Sequence, residues 1–79
     1  NWHDHIVTDP DILCGKPSIR GTRLSVELLL GLMAEGWSRS MILENYPHLT
    51  DDDLRAVFAF AGDMLRDEGL LTGLRSDSQ

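Results

Sequence analysis

The corners between three apolar runs constrain this chain more than any other feature. Between Ser25 and Gly69, apolar residues recur at helical spacing in three stretches joined by very short links. The first has Ser25 as its N-cap and runs to about Glu35. Leu28, Leu29, Leu32 and Met33 form its apolar face, Glu27 and Glu35 face water, and Gly36 stops it. The second follows a Ser38 cap, carries Met41, Ile42 and Leu43, and ends before Pro47. Its link to the first, Gly36-Trp37, allows only a sharp corner, which Trp37 is expected to plug. The third has Thr50 as its N-cap and Asp51, Asp52 and Asp53 in its first turn, where carboxylates suit the positive end of the helix dipole. Leu54, Val57, Phe58, Ala61, Met64 and Leu65 then fall at core spacing, and Gly69 ends the run. Gly62 inside it costs up to about 1 kcal/mol against alanine and leaves room for a close helix approach. The spacing predicts helices of roughly 11, 8 and 18 residues, the second and third forming a helix-turn-helix.

Residues 1–24 read differently. Ile6-Val7-Thr8 is β-branched and predicts a short strand, and Asp9-Pro10-Asp11 predicts a turn. Ser18-Ile19-Arg20 and Thr22-Arg23-Leu24 fit either a bent strand pair or a strand with a glycine bulge at Gly21. A lone two-stranded hairpin is marginal, so this arm is expected to pack on the helices or on a second subunit. The expected architecture is mainly α in one domain of 79 residues: a β arm over 1–24, a three-helix core over 25–69, and a tail over 70–79. The tail holds Leu70, Leu71 and Leu74 among polar residues and is expected to be loose unless a partner orders it.

Charge narrows the function classes. The net charge is −6, which disfavours phosphate backbones. Residues 15–23, GKPSIRGTR, carry Lys16, Arg20 and Arg23 and no acid, so the remainder carries −9. This basic finger on an acidic body is either solvated surface or a contact for an acidic protein face or DNA. One cysteine excludes an intramolecular disulfide, no apolar run approaches a membrane span, and no secretory signal is visible, so a cytoplasmic location without membrane contact is expected. The first residue is Asn1 and not Met, so the natural chain is expected to start earlier.

Catalytic and metal chemistry find little support. His3, His5, His48 and Cys14 have no metal-ligand spacing, so no metal or cofactor is expected. Cys14 lacks a base fixed by spacing and is expected to be a small packed side chain. Gly15-Lys16 is not a phosphate loop, because Pro17 follows the lysine. Asp51, Asp52 and Asp53 point about 100° apart and cannot converge on one ion. The chain is therefore expected not to be an enzyme. If it reads DNA through the third helix, three carboxylates meet phosphates and Arg55 alone does not offset them; the cations of the arm are the better contact. Phe58 and Phe60 lie about 200° apart. With Phe58 in the core, Phe60, Ala56 and Ala59 form a second apolar face, the expected homodimer interface.

The run from Asp9 to Arg23, DPDILCGKPSIRGTR, resembles the signature of a prokaryotic family called domain of unknown function 433. Its pattern is Gly-Lys-Pro, a small or aliphatic residue, Ile-Arg-Gly-Thr-Arg, an aliphatic residue and a helix. The likeness continues at Gly36-Trp37-Ser38 and at Tyr46-Pro47-His48-Leu49-Thr50, and covers about residues 6–61. The resemblance implies a homeodomain-like or winged-helix-like three-helix unit with an N-terminal β arm, in a bacterial or archaeal cytosolic protein. It also implies an antitoxin-like role beside a partner nuclease of the PIN type. An alternative is a DNA-binding transcriptional regulator, which could act on its own operon. In either role Lys16, Arg20, Arg23 and Arg55 are the candidate partner- or DNA-binding residues. A structural role for Arg20 or Arg23, capping carbonyls or pairing with Asp9 or Asp11, stands beside the contact role.

Overall fold

The computed structural model describes residues 1–67. The arm contributes two strands, β1 (Ile6–Val7) and β2 (Ser18–Ile19), which pair antiparallel with Ile6 opposite Ile19 and Val7 opposite Ser18. Three helices follow: α1 (Val26–Ala34), α2 (Arg39–Asn45) and α3 (Asp51–Asp67). The expected mainly α class with a short β arm is what the chain adopts. The end of the third helix at Gly69 and the tail from Leu70 to Gln79 lie outside the described residues.

Each helix starts where a side chain can satisfy its first free amides. The Ser25 hydroxyl accepts from the Leu28 amide at 2.9 Å and the Ser38 hydroxyl from the Met41 amide at 3.1 Å. At α3 the bond is reciprocal. The Asp53 amide donates to the Thr50 hydroxyl at 3.2 Å, and the Thr50 amide donates to the Asp53 carboxylate at 3.0 Å. This is the capping-box arrangement with aspartate in the glutamate position. Gly36 closes α1 with φ of 101°, its amide donating to the Met33 carbonyl while the Trp37 amide reaches the Leu32 carbonyl. Arg39 and Asp51 then pair across the α2–α3 corner.

The arm and the helices share one core. Ile6 and Ile19 of the strands are buried with Val26, Leu29, Ile42, Leu49, Leu54 and Val57, and Trp37 packs against this cluster at its corner. A three-residue 3-10 turn, Trp2–Asp4, lies across α3: the Trp2 ring meets Phe60 edge-on at 4.9 Å, and its indole N–H donates to the Asp63 carboxylate at 2.6 Å.

Several expectations are corrected here. Phe58 is 48% exposed, whereas Phe60 packs against the core beneath Trp2. The helical spacing of α3 allows either orientation, and the N-terminal turn decides it by covering the Phe60 side. Ala56 is buried for the same reason, while Ala59 is exposed. The chain's own first residues thus cover Phe60 and Ala56 of the face expected to form a dimer and leave Ala59 open. Leu28, Met41 and Leu65 are exposed rather than interior. Cys14 is exposed, not packed: Leu13, Cys14 and Gly15 all have positive φ (52°, 57° and 84°), and this left-handed turn carries the thiol to the surface. Among the described residues no helix is long and apolar enough to cross a membrane.

Candidate functional site

The segment Gly15–Arg23 is mostly scaffold, and each residue's partner shows why. Ser18 and Ile19 are fully buried in β2. The Ser18 hydroxyl has no hydrogen-bond partner among the described residues. The Pro17 carbonyl accepts from the Val26 amide at 2.9 Å, and the Ile19 amide donates to the Leu24 carbonyl at 2.9 Å. The chain therefore doubles back as a bent strand pair, with Ser18 bridging Ser25. The Thr22 hydroxyl holds the bend by donating to the Ile19 carbonyl at 2.8 Å and accepting from the Leu24 amide at 3.1 Å. Gly21 sits in that bend with φ of 80°.

The four candidate cations have different positions. Arg20 donates through Nε to the Asp4 carbonyl at 3.1 Å and through its terminal nitrogen to the His3 carbonyl at 3.4 Å. It caps the 3-10 turn that covers Phe60. Lys16 lies 3.2 Å from Glu27, both well exposed. Arg55 lies 3.4 Å from Asp51, which Arg39 also contacts. Arg23 is exposed and has no side-chain hydrogen bond or ion pair among the described residues. The structure thus gathers Lys16, Arg20 and Arg23 on one arm, and places Arg55 apart from them on α3.

Beside Lys16 runs an apolar groove of about 330 Å³, walled by Pro17, Val26, Leu30 and Phe60, with Lys16 and Glu27 at its edge. Nothing in the helical periodicity pointed to it, since it forms only where the arm, α1 and α3 meet. Ala56 and Ala59 face a second, more polar cleft of about 350 Å³, shared with Asn1, Trp2, His5, Asp52 and Arg55.

Carboxylates tie the arm to α3. His5 Nδ1 lies 2.8 Å from Asp53. Burial pushes the Asp53 carboxyl up, but the Thr50 amide, His5 and the Thr50 hydroxyl outweigh it and hold it below its ordinary value. The Trp2 indole, then Arg66, hold Asp63 down, and Arg39 does the same for Asp51. Each of these three aspartates has its own structural partner. Among the described residues no group of three or more His, Cys, Asp or Glu side chains is placed to hold a metal ion.

With this geometry in place, residues 6–61 match the family described as Protein of unknown function (DUF433). The chain belongs to the DUF433 family. A solved structure of a DUF433 member from Anabaena variabilis superposes with a TM-score of 0.68 at 28% identity, over 94% of this chain and 68% of that one. The uncharacterized protein y4eO of Sinorhizobium fredii is 36% identical over 56 residues, which are 71% of this chain and 25% of that protein. The chain thus spans a quarter of that relative's length. The DUF433 match begins at β1 and ends inside α3, so it takes in the whole bent arm and all three helix starts.

Proposed function

We propose that this DUF433 chain is a binding module rather than an enzyme, and that it acts in the cytoplasm as the antitoxin-like component of a type II toxin–antitoxin pair. Its partner is then a nuclease of the PIN type, a fold that gathers carboxylates to hold metal. The observation that carries this reading is the inventory of cations. Arg20 is engaged with backbone carbonyls and Lys16 with Glu27, while Arg23 stands exposed without a partner among the described residues. A guanidinium free of internal bonds can form a bidentate contact with a partner carboxylate. The apolar groove on the same arm offers that partner a surface to bury.

The test is co-expression with the product of the adjacent gene. Co-purification at high salt, with rescue of growth from that product, supports the reading. Absence of any complex overturns it.

DNA binding is the second reading, and one observation favours it. Arg39 and Arg55 both approach Asp51, so the start of α3 is less acidic than its sequence. Asp52 remains exposed there, which weighs against phosphate contact. A DNA complex made through a few cations weakens steeply as salt rises from low to physiological levels; a protein complex seated on an apolar groove does not.

A further inference from the structure

We draw no further inference here: the strongest candidate, the polar cleft between the Trp2–Asp4 turn and the start of α3, carries nothing, because its His5 is already bonded to Asp53 and its Arg55 paired with Asp51, while the Asp52 carboxylate lines the same cleft, so that no group among the described residues selects a ligand there.

Discussion

The signature segment of the arm is polar in sequence and largely interior or self-bonded in the structure, while α3 carries two large apolar residues, Phe58 and Leu65, that stand open to solvent. In the arm, Ser18 and Ile19 sit in the core and Arg20 and Thr22 fasten backbone carbonyls. On α3, Phe58 and Leu65 occupy positions that periodicity assigns to a core, yet among the described residues no element buries them. In a chain this small the strands, the 3-10 turn and two short helices cannot surround a 17-residue helix. Which apolar residues become interior therefore depends on which segment arrives to cover them.

The comparison can be broken most severely at Ile19. If the signature is scaffold, Ile19→Ala removes a fully buried side chain and costs about 3 kcal/mol. Urea denaturation should show a large drop in midpoint. Phe58→Ala on the exposed face should leave the monomer within about 0.5 kcal/mol. Equal losses would erase the difference between the two regions.

Trp2→Ala comes next. It removes the edge contact with Phe60 and the bond to Asp63, at a cost of about 2 kcal/mol for a half-buried indole. The same change should expose Phe60 and raise the binding of a hydrophobic dye. A thermal melt with dye fluorescence reads both effects.

A smaller effect separates two arginines three residues apart. Arg20→Ala loses the bonds to the Asp4 and His3 carbonyls and is expected to cost about 1 kcal/mol, whereas Arg23→Ala should fall within about 0.5 kcal/mol of the wild type. Paired chemical denaturation curves check this.

The mildest probe is acid. Asp51, Asp53 and Asp63 have folded-state pKa values below their ordinary value of 3.8. Between the two values the native chain binds fewer protons than the unfolded chain, so stability rises with pH there. Their contribution is present above pH 3.8 and is lost as the pH falls through the folded values. Melting temperature followed from pH 6 to pH 2 should decline chiefly below about pH 4, and Asp53→Asn should flatten part of that decline.

Much of this was legible in the sequence because helix starts depend on neighbours a few residues away. Ser25, Ser38 and Thr50 cap the helices they were expected to cap, and Gly36 ends α1. The Asp53 half of the capping box is legible too, three residues after Thr50, at a position that also complements the helix dipole. The rest needed long-range contacts. Choosing Phe60 over Phe58 for the inside depends on Trp2, 58 residues earlier in the chain. Arg20 finds its carbonyls only after β1 and β2 have paired, and the exposure of Cys14 follows from a left-handed turn that Leu13 does not advertise. The groove requires three elements at once.

The central claim is that Arg23 serves contact while Arg20 and the rest of the signature hold the arm. Its most direct test is co-purification of Arg23→Glu with the product of the adjacent gene, alongside a thermal melt of the same variant. The account predicts a wild-type melting curve and loss of the partner. A variant that still retains the partner, or one that loses it only because it no longer folds, would contradict the claim.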